Sequence, residues 1–296
     1  MKYVAGVDLG GTKISAGIVS EELELLKNII TVPTESDSSK ERILGNIENA
    51  VISAFEINEI AFDSLSGIGI GSPGPLNLKS GEILNPENVK PLNYFNIKKY
   101  FSDKFNIKVL VNYDSSCFVL GELFAGKARN MKNIIGLTLG TGTGCGIICN
   151  GVLYNGATGT SGEIWKTSYL DGNVEDYTSA KAVRKLFYKK TGKEIPAKRI
   201  SELAEKKDHS ALMTWKEYGR HLGMLVSGLI NFFDPDAVIL GGSLSRSYKF
   251  FKDDLIEVLK ASINKGPLEN LKILVSDLGE KGAVIGAAVL FNESIV

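Results

Sequence analysis

The chain has 296 residues and a hydrophobic fraction of 44%, which suits one large globular domain or two moderate ones. Lys+Arg and Asp+Glu both number 34, so no excess charge invites a polyanion, and nucleic acid is set aside as a partner. An odd count of three cysteines, no Cys-x-x-Cys pair and two histidines exclude a disulfide scaffold and a Cys/His zinc site.

The chain opens with an apolar run, Tyr3 to Leu9, then Gly10-Gly11-Thr12, then a second run from Ile14 to Val19. This predicts two strands joined by a glycine turn. A further strand is expected over Leu23–Val32. Glu41–Phe55 has helical spacing, with Ile43, Leu44, Ile47, Val51 and Phe55 on one face. A buried strand over Ser66–Gly71 runs into the turn signal Pro73-Gly74-Pro75. A helix over Lys98–Phe105, a short strand over Lys108–Val111 and a helix over Ser115–Ala125 follow.

The pattern then restarts. Asn133–Leu139 reads as a strand, Gly140-Thr141-Gly142-Thr143-Gly144 as a glycine turn, and Cys145–Asn150 as a strand, with another near Val152–Tyr154. Two strand–glycine turn–strand segments predict a duplicated α/β unit. The remainder reads as helices over Ala180–Lys190 and Ala211–Phe233, and a strand over Ala237–Leu240 ending at Gly241-Gly242. A helix over Lys249–Ile263, a strand over Leu271–Val275 and a small-residue helix over Gly282–Phe291 follow. Cys117, Cys145 and Cys149 read as small buried apolar residues. The last two stand ~13 Å apart along one strand at ~3.3 Å per residue, too far to bridge. The longest apolar stretch, Ala283–Phe291, is far short of the ~20 residues that span a bilayer. With no signal peptide in view, a soluble cytoplasmic protein without a membrane partner is expected.

Glycine after a strand lets backbone N–H groups approach a phosphate with no Cβ in the way, and Thr12, Thr141 and Thr143 add hydroxyls. No GxxxxGK[ST] occurs, and no GxGxxG leads from a strand into a helix, which disfavours P-loop and dinucleotide folds. Asp8, beside the first turn, suits magnesium held through water next to a phosphate. Asp114 follows a short strand and opens a helix. It reads as an N-cap and as a base able to take a proton from an attacking hydroxyl.

Several segments together resemble the ROK family of sugar kinases and sugar-responsive repressors. They are Gly6-Val7-Asp8-Leu9-Gly10-Gly11-Thr12-Lys13, Gly71-Ser72-Pro73-Gly74-Pro75, Asp114 to Gly121-Glu122, Gly140 to Gly144, Gly162-Glu163-Ile164, Gly241-Gly242 and Gly282 to Ala288. The resemblance implies an α/β, two-lobed, actin-like ATPase fold (duplicated and ribonuclease H-like). The lobes are expected at 1–113, with 282–296 returning to it, and at 114–281. It implies ATP- and magnesium-dependent phosphorylation of a hexose or acylamino-hexose, with Asp114 as catalytic base and Asp8 organising magnesium. Gly10, Gly11, Thr12, Lys13, Gly140, Thr141, Gly142, Thr143, Gly241 and Gly242 are expected on the nucleotide, and Gly74, Asn88, Tyr113, Asp114, Glu163 and Glu175 on the sugar. A homodimer is also expected from the resemblance.

Three departures bear on the sugar pocket. Tyr113 stands where the kinases carry Asn, and Gly-Glu-x-Gly-His becomes Gly162-Glu163-Ile164-Trp165-Lys166. The cysteine-rich zinc loop gives way to Tyr169-Leu170-Asp171-Gly172-Asn173, so no zinc is expected. Glucose is the default acceptor, with N-acetylmannosamine and fructose as alternatives. A non-catalytic sugar-binding regulator of the same fold, or an actin-like ATPase such as an acetate kinase or chaperone-type ATPase, are the rival readings. The chain begins at the first glycine hairpin with no helix-turn-helix ahead of it, which disfavours a DNA-binding repressor.

Overall fold

A computed structural model describes residues 2–20, 22 and 24–292. Leu23, where the third strand was expected to begin, and residues 293–296 of the expected C-terminal segment lie outside them.

The chain forms two compact units, residues 1–132, 146–162 and 277–296, and residues 133–145 and 163–276. The first unit opens with β1 (Tyr3–Leu9), β2 (Lys13–Ser20), β3 (Leu25–Pro33) and α1 (Lys40–Ile57), followed by β4 (Leu65–Ser72). Two-residue strands β5 (Leu76–Asn77), β6 (Glu82–Ile83) and β7 (Phe95–Asn96) make a small separate sheet. Then come α2 (Ile97–Phe105), β8 (Lys108–Tyr113) and α3 (Asp114–Phe124). The main sheet has the order β3-β2-β1-β4-β8, antiparallel across the opening hairpin and parallel from β1 to β4 to β8. The predicted helical face of α1 is buried as expected: Ile43, Leu44, Ile47, Val51 and Phe55 all join the core.

The second half repeats this plan. β9 (Ile134–Leu139), β10 (Thr143–Cys149) and β11 (Val152–Leu153) are followed by β12 (Ser168–Tyr169), β13 (Gly172–Asn173) and α4 (Glu175–Thr178). Next are α5 (Ala180–Thr191), α6 (Ala197–Glu205), α7 (His209–Phe233), β14 (Ala237–Gly241), α8 (Tyr248–Ser262), α9 (Lys265–Asn270), β15 (Lys272–Val275) and α10 (Glu280–Val289). The second sheet runs β11-β10-β9-β14-β15, with β9, β14 and β15 parallel. Strand for strand this is the order of the first sheet, so the duplication expected from the glycine turns is present in the topology. Among the described residues, no helix is long and apolar enough to cross a membrane.

The helix Ala197–Glu205 and the short strands β5, β6, β7, β12 and β13 were not anticipated, whereas β11 falls within the strand expected near Val152–Tyr154. Pro196 precedes the helix, and only Ala197, Ile200 and Ala204 of it are buried, a stripe too short to register as a period. Cys117 and Cys145 are buried as expected, while Cys149 is partly exposed.

The sequence-based boundary after 113 differs from the division of the structure: α3 belongs to the first unit. The reason is its packing on α10 at backbone-to-backbone distance. A Cβ on Gly286 would lie 1.6 Å from the carbonyl oxygen of Cys117, and one on Gly121 would lie 1.9 Å from that of Gly282. No side chain fits at such a crossing. Gly286→Ala is expected to destabilise the protein by about 1–3 kcal/mol or more through overpacking. Gly45→Ala, inside α1 with open space around it, should add about 0.5–1 kcal/mol. Urea unfolding midpoints moving in opposite directions check the pair, and a Gly286→Ala midpoint at or above wild type contradicts the packing.

Candidate active site

The parallel register of the first sheet gathers its chemistry at one edge. Asp8 of β1 stands opposite Gly71 of β4, Gly71 opposite Asn112 of β8, and Ser72 opposite Tyr113. The carboxyl ends of three parallel strands therefore deliver Asp8, the Pro73-Gly74-Pro75 loop and Asp114 to the same side, where ligands of open α/β sheets bind.

Asp8 is packed among protein atoms, and burial is the first cause that pushes its carboxyl up to about 7. The charge of Asp114 pushes the same way, Lys13 opposes it, and Glu280 adds to it. The Cys117 thiol, raised well above its ordinary range, is held up by burial and then by Asp8 and Asp114. A desolvated carboxylate thus stands within electrostatic reach of a second one, an arrangement that favours a cation between them.

Asp114 is the first helical residue of α3 and not its N-cap. Tyr113 occupies that position with extended backbone, and the Oδ1 of Asp114 accepts from the N–H of Ser115 at 2.7 Å. Tyr113 itself is 4% exposed, and its hydroxyl accepts from the N–H of Leu76 at 3.2 Å. A Cβ on Gly74 would lie 2.3 Å from its ring. The expected sugar contact at Tyr113 is therefore corrected: the ring is a pillar under the Pro73–Pro75 loop, and Gly74 is small because the ring lies against it. Asn112 accepts from the N–H of Tyr113 at 2.8 Å and donates to Asn155 at 3.2 Å, tying residues 155–162 to the end of β8.

The first glycine turn closes with the N–H of Gly10 donating to the carbonyl of Lys13 at 3.0 Å. Gly10 therefore keeps its donor inside the turn, against the expectation of a phosphate contact. Lys13 is corrected in the same way. Its ammonium pairs with Glu280 at the start of α10, which also accepts from Ser15 Oγ at 3.3 Å and Thr31 Oγ1 at 3.1 Å. These hydrogen bonds, that of Lys13 foremost, hold Glu280 below the usual carboxylate range. Asn88, expected on the sugar, is exposed and lies against the first glycine turn: a Cβ on Gly11 would lie 2.8 Å from its own Cβ. An open depression of about 520 Å³, lined by Asn85, Glu87, Asn88, Lys90 and Asn93 among others, lies beside it.

In the second unit the glycine turn is clasped from the following chain. The N–H of Gly140 donates to Gly142 at 3.0 Å, and the carbonyl of Gly140 accepts from Ala180 at 2.8 Å. Thr143, expected on the nucleotide, is buried, and its hydroxyl bonds Thr178 at 2.8 Å. Glu175, expected on the sugar, accepts from the N–H of Thr143 through Oε2 at 2.9 Å. Gly242 has φ +81°, and a Cβ there would lie 2.3 Å from the carbonyl oxygen of Leu139. The Gly241-Gly242 loop, expected on the nucleotide, thus packs against the end of β9, where the second glycine turn begins. Glu163 receives the indole N–H of Trp165 at 2.9 Å, and the Lys166 ammonium lies 4.7 Å from the centre of the Trp165 ring. Burial raises the Glu163 carboxyl, while the indole and Lys166 pull it down.

These two glycine turns, with Asp8 and Asp114 at the first, stand within a chain that matches the ROK family pattern over residues 4–294. The chain belongs to the ROK family. This ROK chain is 29% identical to a glucokinase of Thermotoga maritima over 98% of its own length and 97% of the relative's. It is 26% identical to an N-acetyl-D-glucosamine kinase of Haemophilus influenzae, over 97% of this chain and 98% of the other. Its structure matches that of a ROK family glucokinase from Streptomyces griseus in complex with glucose and AMPPNP. The TM-score is 0.84 and the identity 27%, over 97% and 98% of the two chains.

Sequence reasoning about this ROK protein missed Glu280, Thr178 and the contact of Trp165 with Glu163. Glu280 lies 267 positions from Lys13, and only the return of α10 to the first sheet brings them together. The adjacency of Trp165 to Glu163 was the available signal for the third.

A carboxyl whose folded pKa lies above its unfolded value holds its proton longer in the native state, so its contribution to stability falls as pH rises between the two values. For Asp8 that window runs from about 4 to about 7. Without nucleotide or divalent cation, Asp8→Asn should stabilise the protein by up to about 4 kcal/mol near pH 8 and by little near pH 4. Urea unfolding across that range checks it; a gain independent of pH contradicts it.

Proposed function

We propose that this ROK protein transfers the γ-phosphoryl group of ATP to a hydroxyl of a hexose or acylamino-hexose. The observation that carries the reading is the meeting of Asp8, Asp114 and a glycine turn at the carboxyl edge of β1, β4 and β8. Glucose is the default acceptor, in line with the T. maritima and S. griseus relatives, and acylamino-hexoses come next, in line with that of H. influenzae.

In this reading Asp114 accepts the proton as the sugar oxygen bonds to the γ-phosphorus. The bond from that phosphorus to the β–γ bridging oxygen breaks, and ADP leaves. Asp8 would hold magnesium through water, which supplies charge neutralisation on the phosphates. The donor set fits: two carboxylates meet in a desolvated corner where Lys13 is already engaged by Glu280. Among the described residues, the N–H groups of Gly11, Thr12, Thr141 and Gly142 donate to no protein acceptor, so they are the backbone donors for phosphate oxygens. Glu163, with one oxygen on the Trp165 indole, keeps the other for a sugar hydroxyl. Asn88 and the Pro73–Pro75 loop complete the acceptor side, and Gly241-Gly242 approach the adenine nucleotide. The reading carries a cytoplasmic location, where ATP is supplied and free thiols such as Cys117 persist.

A coupled assay of ADP release over a sugar panel tests the proposal. Wild type should turn over at least one hexose, and Asp114→Asn should lower kcat about 10²–10⁴-fold while sugar still binds. Turnover that survives Asp114→Asn removes the base assignment. Sugar binding with no turnover favours a regulator, and hydrolysis indifferent to sugar favours another ATPase of this fold. Trp165→Phe deletes the donor to Glu163 and should raise the KM for sugar about tenfold with a smaller effect on kcat. An unchanged KM makes the indole contact irrelevant to the substrate.

A further inference from the structure

The hairpin of β12 and β13 separates Glu163 from Glu175, the two carboxylates of the second unit expected on the sugar. Its base ties their neighbours together: the N–H of Val174, just before Glu175, donates to the carbonyl of Thr167 at 2.9 Å. The N–H of Asp176 donates to Asn173 Oδ1 at 3.1 Å, and the N–H of Asn173 donates back to Asp176 Oδ2 at 3.2 Å. The hairpin and the short helix α4 are thus joined as one piece. Its tip stands in solvent, where Leu170 has φ +52° and is 71% exposed.

An aromatic cluster docks this piece on α7. The Tyr169 hydroxyl lies 3.1 Å from Nδ1 of His221. The Tyr177 ring meets that of Tyr169 edge-on, with centres 5.1 Å apart, and lies 4.8 Å from the centre of the His221 ring. The Tyr177 hydroxyl also donates to Asp171 in the hairpin turn. Burial is the first cause that holds the His221 imidazole below its ordinary pKa; Glu217 opposes it and Lys189 adds to it. Burial likewise raises the Tyr169 phenol. Near neutral pH the phenol keeps its proton and the ring is uncharged, so the hydroxyl can donate to Nδ1. The helix behind them is a firm post: Tyr218 and Leu222 are fully buried, and a Cβ on Gly219 would lie 2.5 Å from the carbonyl oxygen of Phe251 in α8.

We propose that His221, acting through Tyr169, is a positioning residue for the sugar. It holds the β12–β13 hairpin on α7 and so sets the places of Glu163 and Glu175 before the sugar arrives. Carboxylates held in place in advance spare the ordering cost on binding. This inference rests on the reading of Glu163, and of Glu175 with it, as sugar contacts.

Calorimetry with glucose, with N-acetylglucosamine and, separately, with magnesium–AMPPNP is run on wild type, Tyr169→Phe, His221→Ala and His221→Asn. Tyr169→Phe keeps the ring and removes only the hydroxyl, so it remains a test if His221→Ala fails to fold. Its affinity for the better-bound sugar should fall about three- to tenfold, the worth of one hydrogen bond. AMPPNP affinity should stay within about threefold, because the Tyr218 hydroxyl still anchors the carbonyl of Thr178, at 3.0 Å, beside the second glycine turn. In turnover the KM for sugar should rise while kcat and the KM for ATP stay within about threefold. His221→Asn keeps a polar atom near the place of Nδ1 and should bind sugar more tightly than His221→Ala. Unchanged sugar affinity in Tyr169→Phe overturns the proposal. So does a parallel loss for sugar and nucleotide, which marks a general loosening of the unit. Hydrogen exchange at the Asn173 and Val174 amides of the unliganded variants separates failure of the brace from failure of the sugar reading. Faster exchange in Tyr169→Phe, with no sugar bound even by wild type, supports the docking and overturns its assignment to a sugar. Unchanged exchange overturns the brace whatever binds.

Discussion

The parallel pairing of β1, β4 and β8 is the constraint on which the rest of the first unit depends. Once Asp8 is opposite Gly71 and Gly71 opposite Asn112, the residues that follow each strand have nowhere to go but the same edge. A slip of one residue would turn every side chain of a strand to the other face and put Asp8 among the core aliphatics. The register is held by burial: Val7, Leu9, Ile68, Ile70, Val109 and Val111 share one face and are all in the core, while Gly6 and Gly69 on the other face lie against the backbone of α10. The site is in this sense a by-product of the core. It needs only that the residue beyond each apolar run be polar and that the turn beyond β1 be small.

Electrostatics then sets what the edge can do. Asp8 and Asp114 repel in a desolvated corner, and the nearest ammonium group, Lys13, is turned to Glu280. That pair is about two-fifths exposed on each side and contributes little to stability. Its effect is on charge balance: Lys13 tempers Asp8 without neutralising it. The corner remains short of positive charge, which suits a divalent cation arriving with a phosphate ester.

The strands, the glycine turns and most helices were legible in the sequence because each is a local pattern: an apolar run, a period of 3.6, or glycines at its end. Asp8 and Asp114 were legible for the same reason, Asp8 standing near the end of a strand and Asp114 directly after one. Misjudged were residues whose partner is far along the chain. Lys13 reads as a phosphate ligand until α10 brings Glu280 to it. Glu175 reads as a sugar contact, and its hydrogen bond from Thr143, 32 positions earlier, is invisible in the sequence. Tyr113 reads as a sugar contact until Gly74 and the N–H of Leu76 are found against it. Hydrogen-bond partners of this kind leave no periodicity. The two-residue strands β5, β6 and β7 escaped because two residues cannot alternate.

The packing of α10 on α3 and on the first sheet has a consequence for biosynthesis. The strands and α3 of the first unit emerge from the ribosome early, but the helix that seals them is made only after the whole of the second unit. Until then Gly6, Gly69 and Gly121 line a groove with nothing in it, since each awaits a backbone carbonyl of α10. The nascent chain therefore carries a half-finished N-terminal core throughout translation, while the second unit can already settle. Chaperones that shield apolar sheet faces have their longest window of action on this protein at its beginning, not its end.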